Sequence, residues 1–129
     1  MKTTATAINR VYKILSESVT EVEVPIYKHR SPSIRTLPDE YVVVNALPVG
    51  KGVLQSCIVN VNWHVKDEGM GMPDIESLEA GQNAVIALLH LNDNNSDSVY
   101  IEFESESTIA ESEKESHYSN MRFKVVIKN

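Results

Sequence analysis

Apolar side chains recur at helical spacing in two stretches of the chain. Near the N-terminus the spacing predicts a helix from about Thr4 to Ser18, and its apolar positions are Ala7, Val11, Ile14 and Leu15. A second helix is predicted from Pro73-Asp74 to about His90, and its apolar positions are Ile75, Leu78, Val85, Leu88 and Leu89. We expect its small residues, Ala80, Ala84 and Ala87, to let this helix pack closely on a sheet.

Five other stretches are predicted to be strands: four alternate between apolar and polar residues, as half-buried strands do, and the fifth, YVVVNA, is a short run rich in β-branched residues. The clearest has Cys57, Val59, Val61, Trp63 and Val65 on one face. The stretch at Val22, Val24 and Ile26 contains Pro25, which lacks an amide donor and therefore favours an edge strand. The remaining strands are predicted at Tyr41 to Ala46, around Val99 to Phe103, and from Tyr118 to Ile127.

The elements follow the order α-β-β-β-α-β-β, with amphipathic strands and short connections. This order predicts an α+β fold in which an antiparallel sheet of about five strands carries two helices on one face. A chain of 129 residues suits one domain, residues 1–129, with a single core.

Composition narrows the class of protein. The content of 42% hydrophobic and 23% charged residues is that of a folded globular chain, and no apolar run is long enough to span a bilayer. The N-terminus lacks the features of a secretory signal, and the single Cys57 reads as a small buried hydrophobe, so we expect synthesis in the cytoplasm. The net charge of -6 argues against a dedicated nucleic-acid binder.

The charge is unevenly distributed along the chain. A basic, proline-containing loop predicted from Lys28 to Asp39 opens with Lys28, His29, Arg30 and Arg35. An acidic, serine-rich segment from Ser105 to Ser116 is either a mobile loop or a solvated extension of the flanking strands. The basic loop of one copy could therefore contact the acidic segment of another.

Patterns that would indicate catalysis or metal binding are weak. The histidines, His29, His64, His90 and His117, have no spacing that would converge on zinc. Asp93, Asn95, Asp97 and Glu104 partly match a calcium loop, but Ser98 replaces the glycine that the bend needs. A small metal-dependent hydrolase would require the histidines and the carboxylate pairs, Asp39-Glu40 and Asp67-Glu68, to share one cleft. We expect no catalytic residue, metal or cofactor.

The element order and several local patterns resemble the phage tail-terminator and tail-completion family. The resemblance covers nearly the whole chain and rests on the opening helix, the basic proline-containing loop, YVVVN, VNVNWHVKD, PDIESLEAGQNAVIALL and HYSNMRFKVVI. It implies a structural virion subunit that forms a ring, commonly a hexamer, and joins the tail tube protein to the head-tail connector. DNA would pass through such a ring without sequence-specific binding. The alternative is another neck or tail component, such as a head-tail adaptor or a tube protein.

By position, the resemblance assigns the basic loop and the acidic segment to the oligomer interface or the channel. The candidate residues are Lys28, Arg30, Arg35, Glu104, Glu106, Glu111 and Glu113. The functional expectation is therefore a set of binding surfaces rather than an active site.

Overall fold

A computed structural model of the chain describes residues 4–17, 24–30, 37–47, 55–92 and 99–127. Its helices are α1 (Thr4–Ser16) and α2 (Ile75–Asn92), and its strands are β1 (Ile26–Lys28), β2 (Glu40–Ala46), β3 (Gln55–Lys66), β4 (Val99–Glu111) and β5 (Ser116–Ile127). A 3₁₀ turn, Ser112–Lys114, joins β4 to β5. The strands form one sheet in the order β1-β2-β3-β5-β4, and the predicted α+β class and element order are confirmed.

The sheet is mixed rather than wholly antiparallel, because β1 runs parallel to β2. The pairs β2 with β3, β3 with β5, and β4 with β5 are antiparallel, as expected. A parallel neighbour requires a connection that returns along the strand, and the chain between Lys28 and Glu40 is long enough for that. Pro25 lies just before β1, and its carbonyl accepts a hydrogen bond from the Val42 amide at 2.9 Å. The predicted edge position of this segment is confirmed, while Val22 lies outside the described residues.

The core lies between the two helices and one face of the sheet. We call this face of the sheet the helix face. The alternating residues of β3 and β5 that were predicted to face inward are buried there, including Val59, Val61, Trp63, Phe123 and Val125. Burial of Cys57 is also confirmed. From α1 come Ala7, Val11 and Leu15, and from α2 come Leu78, Val85 and Leu89. Each buried side chain of this size contributes about 1.5–3 kcal/mol, so this layer supplies most of the stability.

Helix α2 differs in two details from the sequence prediction. Asp74 is a cap rather than a helical residue: it accepts hydrogen bonds from the Ser77 amide at 3.1 Å and the Ser77 hydroxyl at 2.8 Å. Ile75, predicted to lie in the apolar stripe, is 58% exposed. The expected close packing through Ala80 and Ala87 is wrong, because both are exposed. Instead, Gly81 packs against the Trp63 ring, where a Cβ would lie 2.4 Å from ring carbons.

Candidate oligomer interface

The acidic segment is an extension of two strands, which decides between the two alternatives left open by the sequence. Strand β4 continues to Glu111, and every residue from Ser105 onward pairs with β5. The hairpin turns through Ser112–Lys114, with Glu115 in the left-handed region at φ 52°. We call β4 and this turn the acidic hairpin. Since β4 is the last of the described strands in the sheet, no strand that the structure describes pairs with its outer side, and this side forms a long edge.

A bulge at Glu104 changes which side chains face the helices. Phe103 pairs with Phe123, but the next pair is Ser105 with Arg122, so Glu104 is inserted in the ladder. Beyond the bulge Glu106 lies on the helix face, where its Oε1 accepts hydrogen bonds from Gln82 at 3.0 Å, Thr108 at 3.3 Å and Ser119 at 2.9 Å. Glu106 therefore stabilises its own subunit.

Glu111 also has a partner within the chain. Its carboxylate lies 2.8 Å from Nδ1 of His64 and 3.5 Å from Nζ of Lys114. The His64 ring is stacked between Tyr41 and Tyr118, at centroid distances of 4.4 and 4.7 Å, on the sheet face opposite the helices. Burial lowers the pKa of His64, while the charge and hydrogen bond of Glu111 oppose that shift. Through its contact with His64, Glu111 thus links the end of the acidic hairpin to β3.

The other two predicted acidic residues are exposed, as Glu106 is, but lack its hydrogen bonds. Glu104 and Glu113 are exposed, and neither makes a side-chain hydrogen bond or an ion pair with another residue that the structure describes. Strand β4 also exposes the apolar side chains of Tyr100, Phe103 and Ile109. An acidic edge with exposed apolar groups is therefore available for contact.

The basic residues lie at the opposite edge of the sheet. Lys28 ends β1, with Nζ 3.1 Å from Oδ1 of Asn9 and 4.6 Å from the centroid of the Tyr12 ring, so it is held against α1. His29 follows in the left-handed region at φ 74°, and Arg30 is exposed. Arg35 lies outside the described residues. We call Lys28, His29 and Arg30 the basic corner.

The strand register gives the separation of these two regions. Lys28, Val44, Val61, Met121 and Glu106 form one row across the five strands. Four strand spacings of about 4.8 Å place the ends of this row roughly 19 Å apart. The basic corner and the acidic edge therefore lie too far apart to form ion pairs within one subunit.

The histidines are dispersed over the fold. His29 lies in the basic corner, His64 on the face opposite the helices, and His90 in the last turn of α2. His117 is bonded to Asp67 at 2.6 Å between Nδ1 and Oδ1. Within the described ranges, no three His, Cys, Asp or Glu side chains are placed to share a metal ion.

The two predicted carboxylate pairs do come together. Asp39, Glu40, Asp67 and Glu68 line a cavity of about 260 Å³ at the end of the sheet, together with Asp74. Burial, followed by the charge of Asp74, raises the pKa of Glu40. The residues of the partial calcium pattern at 93–97 lie outside the described ranges, and Glu104 belongs to β4.

Three contacts were not foreseen from the sequence: the stacking of His64 between two tyrosines, the hydrogen bonds of Glu106, and the packing of Gly81 on Trp63. The register of β4 and β5 decides which side chains meet, and the bulge makes that register irregular. Only the first of these contacts was indicated in part, because the strict alternation of β3 placed His64 on the polar face of that strand.

Of the comparisons with known proteins, the one with solved structures supports the fold. No family model matches the sequence, and no curated protein matches it. The chain is similar to a chain in a solved structure titled "Virion of native gene transfer agent (GTA) particle", with a TM-score of 0.61 over 92% of both chains and 13% sequence identity. No α-helix in the described part of the protein is long and apolar enough to cross a membrane. At this level of identity the similarity establishes the fold.

Proposed function

We propose that this protein is a structural, non-enzymatic subunit of a phage or phage-like virion. Copies of the chain assemble head to tail into a ring, with six as the expected number, at the end of the tail tube. The ring joins the tail tube protein to the head-side connector, and DNA passes through it without sequence-specific contacts. The proposal combines the resemblance of the sequence with the geometry of the sheet.

The observation that carries the proposal is the placement of opposite charges at opposite edges of one sheet. The basic corner lies at β1 and the acidic hairpin at β4. Two different complementary surfaces on one molecule make a head-to-tail contact, which closes into a ring when the rotation between copies fits. Complementary charge fixes the partner and the register of such a contact.

The free edge of β4 supports the same conclusion. An exposed edge strand of this length offers unpaired backbone groups that favour association with another chain. Pairing of β4 with β4 of a second copy would place Glu102, Glu104 and other carboxylates close together, and like charges opposite each other destabilise a sheet. A contact between β4 and the basic corner of the next copy avoids that repulsion.

The fold similarity is consistent with a virion role. The similar chain belongs to the particle of a gene transfer agent, which is phage-like. Because the two chains cover 92% of each other, the comparison involves the whole fold rather than one common motif. We therefore extend the role of virion component to this chain.

Charge reversal at the two exposed positions tests the contact. Arg30→Glu and Glu104→Lys change residues without a partner in the described structure, so folding should be unaffected, whereas Glu106 and Glu111 would confound the result. Light scattering on the wild-type chain should give six copies of 14.4 kDa, about 86 kDa. Each single variant should dissociate at concentrations where the wild type stays assembled, and the double variant should regain assembly.

Glu79→Lys is the matched control, because it makes the same charge change on an exposed position of α2. It should assemble as the wild type does. A wild-type chain that remains a monomer at every concentration, or single variants that assemble normally, would contradict the proposal.

A further inference from the structure

The loop between β3 and α2 presents an exposed apolar surface at one end of the sheet. Met70 is fully exposed, and Met72 and Ile75 are 61% and 58% exposed. We call these three residues the methionine knob. Methionine is flexible and polarisable, so it adapts to an apolar socket in a partner. All three lie within six residues of the chain, so this apolar exposure is concentrated in one short segment rather than scattered over the surface.

The backbone holds the knob in one conformation. The Met72 amide donates a hydrogen bond to the Gly69 carbonyl at 3.0 Å, and the Glu68 amide donates one to the Met72 carbonyl at 3.0 Å. Gly69, Met70 and Gly71 all have positive φ angles, of 129°, 54° and 74°. A non-glycine residue in this region is uncommon, and Met70, which adopts it, is fully exposed. A loop already ordered loses little conformational entropy on binding.

The surroundings of the knob are acidic. Glu68 is part of the same loop, Asp74 directly precedes α2, and Glu76 lies in the first turn of α2. Glu40 and Asp67 line the adjoining cavity. Among the residues that the structure describes, Lys66 is the one basic residue lining this cavity. Burial, followed by the charge of Asp74, raises the pKa of Glu40, so these two carboxyl groups lie close enough to interact. A partner surface should therefore carry positive charge.

The knob lies at the ends of the strands, beside the turn of the acidic hairpin, and not on the outer side of β1 or β4. Residues of the knob loop and of the hairpin, among them Met70 and Ser112, line one cavity of about 800 Å³. The loop follows Lys66, the last residue of β3, which is the central strand of the sheet. The ring contact uses the outer sides of β1 and β4. The strand ends therefore point along the ring axis and not toward a neighbouring copy in the same ring. The knob therefore lies where the next protein in the stack would contact the ring.

We propose that the methionine knob docks a different protein of the particle, one that offers an apolar socket bordered by Lys or Arg. This inference rests on the proposed function, because it needs a ring whose neighbours lie above and below it. The acidic surroundings disfavour nucleic acid and anionic lipid. They also disfavour the same surface of a second copy, and the basic corner is already used within the ring.

Site-specific crosslinking tests the partner. The photoreactive residue p-benzoylphenylalanine replaces Met70, and rings of this variant are added to an extract of the parent phage that lacks the wild-type protein. The joined particles are then irradiated. Position 70 should crosslink to a different particle protein, at a peptide where Lys or Arg flanks apolar residues. The same residue at exposed Asn83 of α2 is the control and should not crosslink to that peptide. A crosslink from position 70 to a second copy or to DNA, or no crosslink in joined particles, overturns the inference.

Substitution separates this inference from the proposed function. Met70→Asp should leave the ring mass and the thermal unfolding unchanged but reduce the number of joined particles about tenfold or more, while Met70→Leu should retain joining. If Met70→Asp joins particles normally, the docking role is wrong. If Met70→Asp no longer forms a ring, the knob belongs to the contact between copies, and its position outside that contact is wrong. If the wild-type chain forms no ring or joins no particles, the proposed function itself fails.

Discussion

Gly81 allows α2 to pack directly on a tryptophan of the sheet, and replacing it with alanine tests this contact. The added methyl carbon would lie 2.4 Å from Cδ2 and Cε2 of Trp63 and 2.7 Å from its Cγ. Nonbonded carbons prefer about 3.5–4.0 Å, so the ring or the helix must move. Both are confined, because Trp63 is 4% exposed and Gly81 is buried. Gln82, the next residue, would then move away from Glu106.

Two opposing effects set the size of the change. Alanine is favoured over glycine in a helix by about 1 kcal/mol. Overpacking a filled core costs about 1–3 kcal/mol, and three ring atoms below normal contact distance place this site at the upper end. The net loss is about 1–2 kcal/mol. With about 2.1 cal/mol/K of unfolding entropy per residue over 129 residues, the melting temperature should fall by about 4–7 °C.

Urea and thermal unfolding of Gly81→Ala measure this loss. Ala87→Gly, on the exposed side of α2, is the control for helix propensity alone and should lose about 1 kcal/mol. The smaller ring of Trp63→Phe should make Gly81→Ala less costly, which a double-mutant cycle detects. If Gly81→Ala is as stable as the wild type or more stable, the explanation by steric contact with Trp63 is wrong.

Two further predictions concern the acidic hairpin. Glu106→Ala should destabilise the fold by about 1–2 kcal/mol, because it leaves the buried Ser119 hydroxyl without its acceptor, whereas Glu104→Ala should change stability by less than about 0.5 kcal/mol in the same urea titration. Because burial lowers the pKa of His64, the unfolded chain binds its proton first as the pH falls through 6.5. The free energy of unfolding should therefore decrease from pH 6.5 down to the lower pKa of the folded state, and His64→Phe should remove that part of the pH dependence. Equal losses for the two glutamates, or an unchanged pH profile in His64→Phe, would contradict these assignments.

Much of the fold could be predicted because its strands alternate strictly. In β3 and β5 the period of two identified the buried residues, including Trp63 and Phe123, and in β2 a short run of β-branched residues was enough. Helix α1 was identified from its period, with Ala7, Val11 and Leu15 buried as expected. In each case the local pattern and the tertiary environment agree.

The remaining features depend on contacts between distant parts of the chain. The parallel pairing of β1 with β2 joins two separate segments of the chain, and a strand of three residues is too short to show a pattern that distinguishes a parallel from an antiparallel neighbour. The bulge at Glu104 moves Glu106 to the helix face, and an acidic, serine-rich run gives no sign of that change. Gly81 reads as an unfavourable helix residue until Trp63 is placed beneath it.

The candidate interface was predicted as two charged segments, and their residues differ in what they contact. Lys28, Glu106 and Glu111 each bind groups within their own subunit. Lys28 and Glu106 are exposed as well, but Arg30, Glu104 and Glu113 have no side-chain partner among the described residues, while Arg35 stays a prediction. A charge pattern alone does not distinguish these cases, because a hydrogen-bonded carboxylate and one without a partner look the same in the sequence.

Intersubunit crosslinking most directly tests the contact between opposite sheet edges. In a chain with Cys57→Ala, Arg30→Cys is combined with Glu104→Cys or with Glu113→Cys and treated with a short bismaleimide. The head-to-tail arrangement predicts a ladder of linked copies ending in a closed species for at least one pair, and no linked species with Arg30→Cys alone. Dimers from Glu104→Cys alone, or no linkage by either pair, would contradict the head-to-tail ring.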